Sequence, residues 1–510
     1  MQVYALTGVP PEIQAYAMAK YSRSAQSMRE SIAELSAQRT EEFLNTFYFQ
    51  YGHRSIADLA HVALAVEDVS ILAAIRVVDE PLWDGQERST RYQDFRKSGY
   101  VTPSEIAGTS VEQRYHDAEA AMFSAYHALT KSLTELLAGA YPAPAEVDSA
   151  AHRRTLRARA FDVARYLLPL ATKTSVGQIT SARVLERQIS RLGGDGLAEV
   201  RAIGDAIRDA CREPGFDLTR SQLSRALNGH ATTSAAITDA LQPVAPAPTL
   251  VKYAAPAHYA AETRARLEPV VRSLLDDTPP DLAPAVRIAP PASVEIEAVT
   301  SLLFTADNGG RSYLQVQAAV AELTDAQRAE ILDLAFAGRG PHDEWLRELH
   351  AGYPIVADML VDIGAFRDLH RHRRCIQLIQ PFSAALGFDS PQSIIRDGLG
   401  VAADAALDCG AAEQLRAALA AGGAAAQEIS ATVGAAGAYA LPLGYRARVA
   451  FKMDIAEAAY ISELRTKPGG HFSYRRIAYL LYEALAERHP YLARSMRVTD
   501  PTAEDRLLER

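Results

Sequence analysis

Cysteine is scarce in this chain of 510 residues. Cys211, Cys375 and Cys409 lie far apart and form no CxxC pair. That spacing argues against a disulfide framework and a cysteine-rich metal site, and it fits a reducing cytoplasm. Excess positive charge is also missing: 53 Lys and Arg against 62 Asp and Glu leave a net charge of −9. With no global basic field to attract nucleic acid, any anion must be held by a local cluster. Apolar runs are broken by charge well short of the ~18 residues a membrane span needs. The opening MQVYALTGVPPE has neither a basic start nor an apolar run, so no signal peptide is read there. Aromatic residues make up only 7%. Alanine is abundant instead, which favours helices because its side chain loses no rotamer entropy.

The length exceeds what one hydrophobic core usually fills, so two domains are expected. VYALT (3–7) reads as a short strand, followed by helical periodicity to about residue 95. A looser segment at 98–110 precedes a helix at 111–139, and a helical block runs over 151–212. Proline then concentrates in LQPVAPAPTLVKYAAPAH and DDTPPDLAPAVRIAPPAS. Proline fixes φ and removes a donor, so this stretch reads as a connector carrying one helix at about 257–276. Afterwards VEIEAVTSLLF alternates like a strand, helices are expected at about 312–337 and 354–376, and a helical block closes the chain. One internal repeat anchors the two halves. ARYLLPLATKTSVGQITSAR (164–183) is similar to AYALPLGYRARVAFKMDIAE (438–457), with the Leu-Pro-Leu triplets 273 residues apart.

FRDLHRHRRCIQLIQ (366–380) holds four arginines and two histidines between Arg367 and Arg374. Pro354 suits a first helical turn. Ile355, Met359, Ile363 and Phe366 form a stripe at helical spacing, which His370 and Arg373 would continue. Arginine keeps its proton, so burying it requires carboxylates or an anionic ligand. Only Asp368 lies inside the cluster. A phosphate or pyrophosphate would correct the imbalance through bidentate bonds; a solvated face or a buried salt-bridge network is the alternative. RNA binding is disfavoured by the acidic net charge and the lack of interleaved aromatics. In WDGQERSTRYQDF (83–95), Gly85 is read as breaking the preceding helix. Glu87, Ser89 and Arg91 then alternate onto one face of an extended segment. That face offers an acceptor, a hydroxyl and a donor fork, suited to a nucleotide monophosphate; an ordinary surface turn held by a Glu–Arg pair is the other reading.

These residues resemble the flavin-dependent thymidylate synthases (the ThyX family), whose signature runs from Arg-His-Arg to Asn-Glu and Ser-x-Arg-Tyr. YGHRSIAD (51–58) is similar to the block that precedes the signature helix, and Glu87-Arg88-Ser89-Thr90-Arg91-Tyr92 matches Glu-x-Ser-x-Arg-Tyr. Counting back without gaps, Asp79, Glu80 and Pro81 stand where Arg-His-Arg would be. Arg165 and Arg183 match two further arginines of the family, while Leu192 replaces a third, with Arg191 beside it. The second half is nearly the reverse. Arg371-His372-Arg373 keeps the motif and Arg465 recovers the third arginine, but Ala438 and Ala456 replace the other two.

The resemblance implies an α+β fold of two tandem ThyX-like domains, each helix-rich with a small, mostly antiparallel sheet. The expected boundaries are 1–235, a connector at 236–290, and 291–510. It further implies FAD as cofactor, NADPH and methylenetetrahydrofolate as co-substrates, and reductive methylation of dUMP or a related uracil nucleotide at C5. Arg465 and Arg165 would be catalytic. His53, Ser55, Arg183, Arg371, His372 and Arg373 would hold the flavin. Glu87, Ser89 and Arg91 would hold the nucleotide, together with Arg165 and Arg465. The family's sites form between subunits of a homotetramer, so a homodimer forming a pseudo-tetramer is expected here, with no metal, no nucleic acid and no membrane partner. A flavoenzyme with another substrate and an inactive binding scaffold stay open. Cys375 matches no family nucleophile, and an ordinary buried thiol is its simpler reading.

Overall fold

The computed structural model describes residues 8–20, 54–143, 148–227, 243–252, 254–340 and 343–502. The strand expected over 3–7 and the candidate His53 lie outside the described residues. The first half contains β1 (His61–Ser70), α1 (Ile71–Val78), β2 (Asp84–Glu87), α2 (Glu112–Ala140), β3 (Lys173–Ser181) and α3 (Ala182–Gly193). After it come α4 (Tyr259–Leu275), β4 (Val286–Ile288), α5 (Val294–Ala306), β5 (Ile355–Asp362), α6 (Ile363–Leu369) and β6 (Ile376–Ile379). The chain continues through α7 (Ala411–Val433), β7 (Arg446–Met453), α8 (Ile455–Arg465) and α9 (Phe472–Arg488). Both sheets are antiparallel, in the orders β1-β3-β2 and β4-β5-β7-β6. The fold is mixed, with many helices around two small sheets. Among the described residues no helix is long and apolar enough to cross a membrane.

The halves repeat one another residue by residue. Ser70 caps α1 by accepting the Ala73 N–H, and Asp362 caps α6 by accepting the Ala365 N–H. Ser181 and Asp454 cap α3 and α8 in the same way. Such a side-chain oxygen satisfies a donor that the first helical turn leaves open. Ser70 pairs with Lys173 as Asp362 pairs with Arg446, and Glu87 with Val176 as Ile379 with Val449. Counting on from the caps puts Asp79, Glu80 and Pro81 at the places of Arg371, His372 and Arg373.

The two Leu-Pro-Leu segments meet directly. Leu170 N–H donates to Leu441 O and Leu443 N–H to Leu168 O, each at 2.9 Å. Ala171 N–H donates to Tyr439 O, and Gly444 N–H to Tyr166 O, at 2.8 and 2.9 Å. Exchanging the halves maps each pair of bonds onto itself, so the junction is a local pseudo-two-fold axis. Leu168, Leu170, Leu441 and Leu443 are fully buried in a core drawn from both halves. A second apolar cluster joins α4 and α5 to the outer face of the second sheet through Val356, Leu378 and Ala450. The helix expected in the proline-rich stretch is therefore packed, and the Tyr259 hydroxyl bonds Ala335 O at 2.9 Å.

Several expectations change. The run after Pro354 is strand β5, not helix. Ile355, Ala357, Met359 and Val361 face the main core while Val356 faces the second cluster. A strand buried on both faces is apolar throughout, and a helical stripe can be picked out of it by chance. VEIEAVTSLLF is helical: Ser293 caps it, Glu295 and Glu297 occupy its first turn, and Glu297 through Ala306 are all buried. The block read as helical over 151–212 is interrupted by β3, and β1 interrupts the one read up to residue 95. Gly85 does not end a helix, because α1 stops at Val78. It lies in β2, where an added Cβ would stand 2.2 Å from Gly177 O. The helix at 111–139 is present as α2.

Leu168→Ala and Leu441→Ala should each lower the unfolding free energy by about 2–5 kcal/mol, the usual cost of a cavity at a buried leucine. The halves should still unfold together. Denaturation followed separately at Trp83 and Trp345 checks this, and separated midpoints would contradict a shared core.

Candidate functional site

Helix α6 ends at Leu369, with His370 as its C-cap, so His370 and Arg373 do not extend a helical stripe. The other basic residues lie in the last turn of α6 or in the turn leading to β6, where carboxylates distant in sequence meet many of them. Arg367 pairs with Glu87, and Arg374 with Asp454 at 3.6 Å. Asp79 pairs with Arg347 and lies 3.8 Å from His370 Nε2. Arg373 donates to Val78 O at 2.6 Å and its guanidinium stands 4.6 Å from the Trp83 ring centroid. Sequence alone assigned one carboxylate to this cluster; folding supplies Asp79, Glu87 and Asp454 from elsewhere.

One arginine contacts Asp368 and three more act on its charge from a distance. Burial alone would raise its pKa, but Arg165, Arg91, Arg371 and Arg465 hold the carboxyl below its ordinary range. Arg165 Nη1 reaches Asp368 Oδ2 at 3.3 Å. Arg91 and Arg165 come from the first half, Arg371 and Arg465 from the second. Arg165 is 2% exposed, and its Nε and Nη2 have no hydrogen-bond acceptor. In front of that edge lies Gly364, whose added Cβ would be 3.5 Å from both nitrogens. The same point lies 3.1 Å from Asp362 Oδ1, so the guanidinium edge packs against the glycine with a carboxylate beside it.

Arg91 is buried against Asp162 at 3.0 Å, and it crosses to the second half through Tyr474 Oη at 3.3 Å and Gly469 O at 3.2 Å. Ser89 Oγ accepts the Arg91 N–H at 3.3 Å, closing a turn. Glu87, Ser89 and Arg91 therefore do not present one extended face, because the strand ends at Glu87.

Arg465 Nε donates to His372 Nε2 at 2.8 Å, and its guanidinium lies 5.5 Å from the Tyr474 ring centroid. His372 Nδ1 sits 3.3 Å from Glu457 Oε1. These bonds fix a neutral imidazole with its proton on Nδ1. Burial lowers the His372 pKa, consistent with that form. His471 is fully buried, with Nε2 donating to Asp162 O at 2.9 Å and Nδ1 accepting the Ser473 N–H at 3.1 Å. Burial and then Arg165 hold it far below the ordinary histidine range. His370 is pushed down to about 4, chiefly by burial. Burial also drives the Cys375 thiol up to about 12, which removes it as a thiolate nucleophile.

The structure thus gathers Arg91, Arg165, Arg371, His372 and Arg465 around one centre. Arg371 is exposed there. Arg183 lies elsewhere, paired with Asp58 at 2.9 Å beside the exposed Ser55. Asp162, Glu457, Gly469 and Tyr474 were not picked out from sequence.

Residues 6–214 match the family described as thymidylate synthase complementing protein. A UPF0159 protein of Chlamydia muridarum is 24% identical, over 99% of this chain and 93% of its own length. A UPF0159 protein of Thermoplasma acidophilum is also 24% identical, over 95% of this chain and 94% of its own. Among solved structures, flavin-dependent thymidylate synthase ThyX from Helicobacter pylori, complexed with FAD and dUMP, covers 40% of this chain and 89% of that one. It is 15% identical with a TM-score of 0.24. The resemblance read in the first half stands, and the relatives align through both halves.

Stability should fall as the pH drops below about 6.5. His370, His372 and His471 have folded pKa values below the unfolded one, so acid protonates the unfolded chain first. Each contributes roughly 1.4 kcal/mol per pH unit until its folded pKa is reached. Asp368, depressed as well, contributes above about pH 4 and loses that contribution in stronger acid. Denaturant midpoints across pH 7 to 4 test this; a flat profile through pH 6 would exclude neutral buried histidines.

Proposed function

We propose, with the family match of residues 6–214 as premise, that the chain is a flavin-dependent enzyme that methylates a uracil nucleotide at C5. The observation that carries this reading is the crossing of arginines between the halves, Arg165 to Asp368 and Arg91 to Tyr474 and Gly469, beside Arg465. The resemblance had divided those arginines between two incomplete copies. Together they form one composite site, with Arg91 and Arg165 from one copy and Arg371, His372 and Arg465 from the other. FAD as cofactor, and NADPH and methylenetetrahydrofolate as co-substrates, are carried from the family to this proposal, as is dUMP as the simplest acceptor.

The residues present fit an anionic cofactor: Arg371 is exposed, with Arg373 half-buried two residues on. A bound flavin would supply the redox chemistry, and the protein orientation and electrostatics. Arg371 and Arg373 would hold it; Ser55 and Arg183, which lie elsewhere in the fold, are proposed from the resemblance. His53 is proposed alongside them on the resemblance alone. Arg465 is the group for the uracil carbonyl. Its Nε is committed to His372 and its ring-side face to Tyr474, so its Nη edge has a fixed direction. A cation held in place before charge develops on the oxygen lowers the barrier. His372 accepts from Arg465 because Glu457 keeps the proton on Nδ1. Arg165 acts from beneath through Asp368, and Arg91 fixes the Gly469–Tyr474 segment beside Arg465. Glu87 and Ser89 hold the substrate-side turn, through Arg367 and the Arg91 N–H.

A second reading is a nucleotide-binding protein without turnover. It is favoured by the internal partners that Glu87 and Arg91 already have. Turnover separates it from the first.

Purified protein should bind FAD and absorb near ~450 nm, and dUMP should raise its melting temperature. Arg371→Ala, at an exposed position, should weaken flavin while changing stability by less than about 0.5 kcal/mol. Arg465→Lys should keep flavin and lower kcat by about 10²–10³. Protein that binds no added FAD would sink the proposal; flavin and dUMP binding without turnover would leave the second reading.

A further inference from the structure

The place that His372 occupies in the second half belongs to Glu80 in the first, and its chemistry is inverted. Around His372 stand Arg465, Glu457 and the ring of Tyr460, whose centroid lies 5.7 Å away. The first-half counterparts of Tyr460 and Leu464 are Arg187 and Arg191, both turned onto Glu80. Arg187 Nη2 and Nε reach Glu80 Oε2 at 2.6 and 3.1 Å, and Arg191 Nε reaches Oε1 at 2.8 Å. The Glu80 side chain is 1% exposed, whereas Arg187 and Arg191 are 37% and 28% exposed. Each carboxylate oxygen is thus held by a separate guanidinium, and both cations remain open to water. That geometry suits any compact oxyanion, because arginine forks bind carboxylate and phosphate alike.

We propose that the first half retains a latent anion seat, filled by the chain's own Glu80 carboxylate between Arg187 and Arg191. Each chain then offers one ligand-accepting site, in the second half, although two copies of the fold are present. The count of sites rests on the function proposed above; the latent seat does not.

Glu80→Ala removes both the carboxylate and the volume it fills, and so empties the seat. The variant should melt below the wild type. Inorganic phosphate near ten times its half-saturating concentration should then raise its Tm by about 1–3 °C more than the wild type's, at chloride-matched ionic strength. Glu80→Ala combined with Arg187→Ala should lose that extra gain. Absence of a phosphate-specific gain in Glu80→Ala, or its persistence without Arg187, would overturn the seat. If Glu80→Ala is recovered unfolded, refolding yield replaces Tm as the readout: a higher yield in phosphate than in chloride supports the seat, and equal yields overturn it. Flavin titration of the wild type should saturate at one per chain, and two per chain would overturn the single-site count. No flavin at all would defeat the preceding function, while the phosphate result would still decide the seat.

Discussion

The antiparallel pairing of two Leu-Pro-Leu segments is the constraint on which the other parts depend. Its four backbone hydrogen bonds run between the halves, in the middle of an apolar core. Unpaired peptide groups at that depth would be costly, so each segment needs the other. The same residues also set the neighbouring helices. Leu72 N–H donates to Leu170 O, and Gly364 N–H to Leu443 O, both at 3.0 Å. Those bonds fix the starts of α1 and α6, and hence the positions of residues 79–81 and 371–373. A site that gathers side chains from both halves follows from a junction that ties both helices to one axis.

Charge around the junction is arranged by complement rather than by repetition. Arg76 in α1 corresponds to Asp368 in α6, Asp79 to Arg371, and Glu80 to His372. Buried ions are costly without partners, and the partners often come from the opposite half. Arg347 meets Asp79, Arg367 meets Glu87, and Arg165 meets Asp368. His370 and His372 stand beside the carboxylates of Asp79 and Glu457, and burial keeps them neutral all the same. The buried His372 and His471 transmit position through hydrogen bonds, and neither carries charge at neutral pH.

Much of this was legible in the sequence, and the failures have a common cause. Helices α2 and α4 followed from local composition. The Leu-Pro-Leu anchor, Arg371-His372-Arg373 and the displaced count at Asp79–Pro81 needed only ungapped spacing, which the sheet registers preserve. β5 was missed because burial on both faces erases alternation, and α5 because its first four residues happen to alternate. The ion pairs were out of reach altogether. Glu87 and Arg367 are 280 residues apart in sequence, and nothing local in either segment names the other. The cationic run therefore looked starved of carboxylate when the fold had provided it.

The inverted pairs at the junction have a consequence for how such a protein can change. In a symmetric dimer, one residue must serve both sides of the axis, so a contact near the axis has to suit its own image. Joining the copies in one chain lifts that requirement. Glu80 can be an acid while its image is a histidine, and each can acquire neighbours that would be intolerable to the other. Thereafter the halves are no longer interchangeable: a segment exchanged between them would bring like charges together, and reverting to a symmetric dimer would require both members of every inverted pair to change at once.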